Sequence, residues 1–438
     1  MSKSSFAAVI EQHLPNLAAY RDLYKHFHHN PEISTLETET SARIASELRI
    51  LNEKHSSPIE IKTNIGGTGL IGIHRNGDGP IVLLRADIDG LPVEEKTGLD
   101  YASTKRMMDT HLDQIEKPTM HACGHDFHIT ALLAAIETLL NAKNSWSGTL
   151  IYLFQPAEER GAGARMMLDD GLYTKHGCPI PDVCLGQHVW PHKAGNVFSR
   201  SGAMMSAADS YEITIFGRGG HGSMPHLAID PVVIASHIVV RLQTLVSREV
   251  PPDETAVVTV GSLKAGDTVN VIAEEAKLQV NIRSVSEQWR RVLLDGLTRV
   301  VRAECDAGRA TAPPRIVRLN QYPLTYNDEA VTRRVEHQFT RFFGDRHKLD
   351  MQPVLGSEDF PLLGSEVGRP YFFWFFGGHD PRDYDERVRL GTVNDIPMNH
   401  NPYFAPCIDP TLRTGVEAMV IAALSFVGKD RAGQQPKL

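Results

Sequence analysis

The 438-residue chain is short of several things, and each shortage removes a class of protein. It has only five cysteines (Cys123, Cys178, Cys184, Cys305, Cys407), widely spread and without a Cys-x-x-Cys pair. An odd, sparse set of this kind is not a disulfide framework and leaves at least one thiol for other work. Strong charge is also missing. A formal net charge of −8 is mild for this length and argues against a nucleic-acid surface. No stretch is expected to reach the roughly 20 apolar residues of a membrane span. The N-terminal segment "MSKSSFAAVIEQHLPNLAAY" has no signal-peptide core, because Glu11, Gln12 and His13 interrupt its apolar residues. The expected location is therefore cytoplasmic. The final Pro-Lys-Leu is a poor peroxisomal ending, since Pro436 stands where a small residue is usual. There are no internal repeats and no long low-complexity linker.

Apolar material is plentiful. A hydrophobic content of 42% and a charged content of 22% are ordinary for a globular chain, and the length implies two or three domains. Residues 6–50 read as helical, broken at Pro15 and at "HHNPEIS". From residue 66 the rhythm changes to short apolar strands, "GTGLIGIH" and "PIVLLRADIDGLP". Residues 127–141 read as a helix, with Ile129, Leu132, Leu133, Ile136, Leu139 and Leu140 on helical spacing. "GTLIYLF" (148–154) and "DVCLG" (182–186) are further buried strands. Strands alternating with helices predict a mostly parallel α/β sheet.

Near residue 205 the pattern shifts. A half-buried strand, "DSYEITIFG", is followed by a helix at 230–247, strands "TAVVTVGSL" and "AKLQVNIRSV", a helix near 287–307 and a strand near 314–319. That order is the ferredoxin-like α+β arrangement. Residues 205–320 are thus expected as a small domain inserted into an α/β domain made of 1–204 and 321–438. In the latter, "YFFWFFG" (371–377) reads as a core strand buried on both faces, and 409–427 as a closing helix.

Ligands of open α/β sheets bind beyond the carboxyl ends of the strands, so polar residues just after strands carry the interest. These are Asp87 and Asp89 after "IVLLR", Cys123, His125 and Asp126 before the 127–141 helix, and Glu158 and Glu159 after "GTLIYLF". His188 follows "DVCLG", and His400 lies in the loop "PMNHNPYF". Thiolate, imidazole and carboxylate are the ligand types of zinc and manganese. In an extended segment, the two-residue spacing of Cys123 and His125 points both side chains the same way. Each residue has a plainer reading: a small buried thiol, a solvated glutamate pair, structural histidines. A cysteine nucleophile with His121 or His125 as base is a further alternative, but it leaves the carboxylate pair unused. The weight lies in the set.

In order along the chain, "HxxPEIS", "RADIDGLP", "MHACGHD", "QPAEE", "GQHV", "GRGGHGSMPH", "VNVIAEE", "GSEDF" and "NHNP" resemble the amidohydrolase branch of the aminoacylase/carboxypeptidase metallopeptidase family. The resemblance spans about residues 20–425. It implies a zinc-peptidase-like α/β catalytic domain with an inserted dimerisation domain. It further implies two divalent metal ions per subunit, zinc or manganese, held by Cys123, His125, Glu159, His188 and His400, with Cys123 bridging. Glu158 is then the general base towards a water shared by the metals, and Asp89 orients a ligand. His221, in "GRGGHGSMPH", reaches an active site and binds the carbonyl oxygen, while Asn270 and Arg283 hold substrate. The implied reaction is hydrolysis of the amide bond of N-acyl amino acids or peptide-like conjugates by a homodimer, with no nucleic-acid or membrane partner. A di- or carboxypeptidase of the same family, or a non-catalytic metal-binding relative, is the alternative. Residues 103–119 exceed the short link usual before the "MHACGHD" motif and are expected to extend a loop beside the metal site.

Overall fold

The computed structural model describes residues 5–56, 58–110, 113–349 and 351–429. The terminal tripeptide considered above for peroxisomal targeting lies outside them. The chain divides into two compact units, the first formed by Met1–Gly202, Tyr326–Gln352 and Asp359–Leu438, the second by Ala203–Thr325 and Pro353–Glu358.

The first unit is built on an eight-stranded sheet in the order Ile59–Ile65, Gly69–Asn76, Gly148–Gln155, Ile81–Asp87, Val183–Lys193, Tyr371–His379, Val197–Phe198, His347–Lys348. It is a mixed sheet. The four central strands, from Gly148–Gln155 to Tyr371–His379, are parallel, and the pairs formed by Gly69–Asn76 with both of its neighbours are antiparallel. The strand Val197–Phe198 also runs antiparallel to Tyr371–His379. The parallel centre explains the sequence pattern: strands covered on both faces read as continuous apolar runs, and Phe372 to Phe376 are fully buried as expected.

Two helices fill the core beside this sheet. His125–Asn141 is buried along nearly its whole length. Ile408–Val427 is 20 residues long and, by length and composition alone, apolar enough to cross a membrane, which corrects the expectation that no stretch reaches that length. Of that apolar window 89% is buried inside the protein, where Leu412, Val416 and Met419 join the main core cluster. A helix apolar on all sides suits a core as well as a bilayer.

Other elements were not anticipated. The strand Ile59–Ile65 lies at an edge of the sheet, and the helix Glu329–Phe343 buries Val331, Val335, Phe339 and Phe343 along one face. Its start is set by Asp328, whose carboxylate accepts from the backbone N–H groups of Ala330 and Val331. Within 103–119, Arg106–Met108 and Glu116–Pro118 form a small antiparallel hairpin.

The second unit has a four-stranded sheet ordered Ala256–Lys264, Glu275–Ser284, Ala207–Phe216, Ala312–Tyr322, every neighbouring pair antiparallel. With helices Pro231–Thr244 and Glu287–Ala307 in the crossovers, this is the ferredoxin-like topology. Residues of Glu275–Ser284 alternate between buried and more exposed, and Leu278, Val280 and Ile282 meet Ile234, Ile238, Leu293 and Leu297 in a separate core.

Candidate metal centre

The parallel strands of the first unit set the site's floor. Asp87 ends its strand opposite Gln155, and the neighbouring register pairs Arg85 with Gly186. Extending that register brings His188 level with Asp87. Sequence reading put His188 just past a strand; the strand instead continues to Lys193, with His188 opposite Phe375. Only the partner on the other side, Ile81–Asp87, has ended, which opens the floor at this level.

The segment carrying Cys123 and His125 is a turn, not an extended chain as the spacing argument assumed. Met120 is pinned to Leu91 by two backbone hydrogen bonds, and the Gly124 N–H closes on the His121 carbonyl at 3.1 Å. Gly124 has φ +82°, and a Cβ there would stand 2.4 Å from Val189 Cγ1. Only glycine permits this turn and its packing. His125 then begins the buried helix, with Asp126 in its first turn, where a negative charge is favoured.

The hydrogen bonds of the buried histidines fix their tautomers. His188 Nδ1 faces the Val189 carbonyl at 2.7 Å and must donate to it, so Nε2 is left as a lone-pair donor, 3.4 Å from Cys123 Sγ. His125 Nδ1 donates to Asp89 Oδ1 at 3.2 Å. Its Nε2 is buried without a hydrogen-bond partner among the described residues and lies 3.6 Å from Asp87 Oδ2 and 3.7 Å from Glu159 Oε1, the latter also buried without one among them. His400 Nε2 lies 3.2 Å from Glu159 Oε2. His128 differs: Nε2 accepts from the Val189 N–H at 2.8 Å and Nδ1 donates to Asp87, so both nitrogens are spent.

Cys123, His125 and Glu159 offer ligand atoms within 4.8 Å of one another. Thiol, imidazole and carboxylate facing each other, with unpaired buried atoms on two of them, fit a divalent metal. The electrostatics agree. Burial pulls His125 down, yet Asp87, Asp89 and Glu159 push it up to about 10. Burial and the nearby Glu159 and Glu158 carboxylates hold the Cys123 thiol well above its ordinary range. Burial, followed by the charge of His128, keeps His188 neutral well below its usual range. Surplus negative charge around a buried imidazole favours a cation in this place.

Supporting residues surround this cluster. Asp89 accepts from His125, from the Ser34 hydroxyl at 2.6 Å and from the Glu159 N–H at 3.1 Å. Asp87 is paired with the fully buried Arg85 at 2.7 Å, and Gln155 accepts from Arg85 Nε at 3.0 Å. Ala157, at φ +49°, turns the chain into Glu158 and Glu159, and its N–H is held by Glu37 Oε1 at 2.8 Å. Glu158 is buried. The 103–119 hairpin reaches this turn: Asp109 Oδ2 accepts from Arg160 Nη2 at 2.6 Å. Behind Asp126, His28 bridges the Asp126 and Glu95 carboxylates at 2.7 and 3.0 Å. His121 is buried with neither ring nitrogen paired among the described residues. Arg85, Ser34, Glu37 and Asn399 were not singled out from sequence, although Ser34, Arg85 and Asn399 lie inside the motifs "HxxPEIS", "RADIDGLP" and "NHNP" and only Glu37 lies outside them.

In the second unit, Gly220–His221 pairs with Val271–Ile272, and the Gly222 N–H donates to the Asn270 carbonyl at 2.8 Å. His221 and Asn270 therefore sit side by side on exposed chain. His221 Nδ1 accepts from the Ser223 N–H at 3.1 Å, which leaves Nε2–H as an outward donor. His221 lines an open cleft of about 950 Å³. Arg283 lies in a sheet strand, where its guanidinium holds the Leu355 carbonyl, Ser357 Oγ at 3.3 Å and Asn281 Oδ1 at 3.1 Å. That use ties its own unit together.

The model for Peptidase family M20/M25/M40 matches residues 83–424. The chain is 35% identical to the N-acetyl-L-cysteine deacetylase of Bacillus subtilis over 87% of its length and 85% of the relative's. It is 34% identical to the hippurate hydrolase of Campylobacter jejuni over 76% of its length and 82% of the relative's. The fold matches the Bacillus subtilis YXEP protein, described as a dinuclear metal-binding peptidase of the M20 family. The TM-score is 0.70 at 26% identity, with 93% and 97% of the two chains covered. The chain belongs to Peptidase family M20/M25/M40. Within that family it is a hydrolase of amide bonds, with a metal-binding cluster at the carboxyl end of its central sheet.

Proposed function

We propose that this protein hydrolyses the amide bond of N-acyl amino acids at a centre of two divalent ions, zinc or manganese. Cys123, His125, Glu159, His188 and His400 would hold the ions. The observation that carries this reading is a pair of buried atoms without a hydrogen bond among the described residues, His125 Nε2 and Glu159 Oε1, facing each other beside Cys123 and His400. Bound ions of this kind polarise a carbonyl and bring the pKa of water towards about 7. Glu158 takes the proton of the attacking water and passes it to the leaving amine nitrogen. His221 donates Nε2–H to the carbonyl oxygen as that atom gains charge, and Asn270 beside it holds substrate. Arg283 is the weaker candidate for the substrate carboxylate, given its contacts within its own unit.

Residues 205–320 serve as the dimerisation domain in this proposal, and 1–204 with 321–438 as the catalytic domain. Support comes from the helix Pro231–Thr244, which exposes Val232, Val233 and Val240, and from the strand Ala256–Lys264, which lies at an edge of its sheet. Five free cysteines fit a reducing, cytoplasmic setting. The relatives named for N-acetyl-L-cysteine and hippurate support an N-acyl amino acid as substrate.

The deciding experiment removes metal with a chelator, restores zinc or manganese, and assays N-acetyl, N-benzoyl and N-indoleacyl amino acids beside dipeptides. Metal-restored hydrolysis of one N-acyl class is expected. Faster cleavage of dipeptides would replace the proposal with a peptidase, and chelator-resistant activity would end the metal reading. His221→Ala and Glu158→Gln subunits, each inactive, are expected to regain activity when mixed as heterodimers if His221 serves the partner's site.

A further inference from the structure

We infer that Asn399 is a positioning residue for the metal centre, one that ties three ligand-bearing segments together and donates a hydrogen bond to the sulfur of Cys123. The inference rests on the proposed role of Cys123 as a metal ligand. Asn399 Nδ2 lies 3.1 Å from the Cys123 carbonyl, 3.3 Å from the Val189 carbonyl and 3.6 Å from Cys123 Sγ. Two of these three partners are carbonyl oxygens, which only accept, so the amide must present its NH₂ and not its oxygen to this corner. Its Oδ1 is buried with no partner among the described residues, so the donor side alone fixes the orientation.

Each partner belongs to a ligand-bearing segment. Cys123 is itself a proposed ligand. The Val189 carbonyl also accepts from His188 Nδ1 at 2.7 Å, so Asn399 and His188 share one acceptor. Asn399 immediately precedes His400, which takes φ +71° and whose N–H is docked on the Ala122 carbonyl at 2.8 Å. A non-glycine residue in that conformation is costly and needs local support. One amide group therefore couples the Cys123 turn, the His188 strand and the His400 loop. An N–H aimed at a thiolate stabilises the sulfur lone pairs. Neighbours of this kind, one step out from the ligands, change metal affinity by about 10–100-fold when lost.

The test uses the full-length protein loaded with cobalt(II), whose bond to a thiolate gives a near-ultraviolet charge-transfer band. Wild type is compared with Cys123→Ser, Asn399→Asp and Asn399→Ala, and cobalt affinity is measured in parallel. Asn399→Asp has nearly the original shape and turns an acceptor towards both carbonyls and the sulfur, so it decides the matter even if the alanine variant folds poorly. The expected result is a band at longer wavelength in the Asn399 variants, with affinity reduced about 10–100-fold. A band that stays in place overturns the sulfur contact, whatever happens to affinity. Unchanged band and unchanged affinity overturn the whole inference. A wild type with no band, or with one that survives in Cys123→Ser, fails at the earlier step and removes Cys123 as a ligand.

Discussion

His125 donates to Asp89 through Nδ1 at 3.2 Å, and that contact decides which of its nitrogens faces Glu159. Asp89 accepts from three donors in all: His125, Ser34 and the Glu159 backbone. In Asp89→Asn an NH₂ group must face at least one of them. Metal affinity is expected to fall about 10–100-fold, measured by competition with a coloured chelator. An unchanged affinity would show that Asp89 does not orient its neighbours.

Glu158→Gln is expected to keep its metal and lose its turnover. The side chain keeps its size and loses its capacity to take a proton, and such a loss costs about 10²–10⁴ in rate. Metal content and kcat are measured on the same preparation. Rates near wild type would remove Glu158 as the base.

Gly124→Ala is expected to destabilise the protein by roughly 1–3 kcal/mol and to lower its metal content. The new Cβ would meet Val189 at 2.4 Å in a backbone already at φ +82°. Gly98→Ala makes the control, because φ is +75° there but nothing lies within 4 Å. Urea midpoints that match between the two variants would mean that the Val189 contact yields freely.

His28 gives a pH dependence whose sign follows from its partners. Burial pulls it down, but Asp126 and Glu95 raise it from an ordinary value near 6.5 to about 9. A raised folded-state value means that the protonated ring stabilises the fold fully below about 6.5 and loses that contribution as pH climbs through 9. The contribution is on the order of 3 kcal/mol. Urea unfolding between pH 6 and pH 9.5 is expected to lose stability towards alkali, and His28→Gln to flatten that loss. A wild-type slope that His28→Gln leaves unchanged would assign it to other groups.

Much of the fold was written in local patterns. The helix Glu287–Ala307 and the strands Gly148–Gln155 and Tyr371–His379 announce themselves by apolar period or by continuous apolar runs. The helix Glu329–Phe343 carries an equally plain signal, an Asp cap followed by Val331, Val335 and Phe339. The strand Ile59–Ile65 is harder to read, because as an edge it keeps Glu60 and Asn64 in solvent and its apolar alternation is thin. His188 was mislocated for a different reason: the end of its strand is set by two neighbours of unequal length, which no single segment records.

For the site, the sequence by itself determined the donor types and the loops that carry them. Cysteine, histidine and glutamate just beyond apolar strands are enough to raise a metal, and their ordered motifs are enough to raise the family. What each nitrogen does was decided only in three dimensions. His128 and His188 are both buried imidazoles, yet the Val189 N–H takes the lone pair of one and the Val189 carbonyl takes the proton of the other. Asn399 stands 276 residues from Cys123 and reaches its sulfur only because the chain returns to the same end of the central sheet. Hydrogen-bond partners fix tautomer and direction, and those partners are brought together by the fold and not by spacing along the chain.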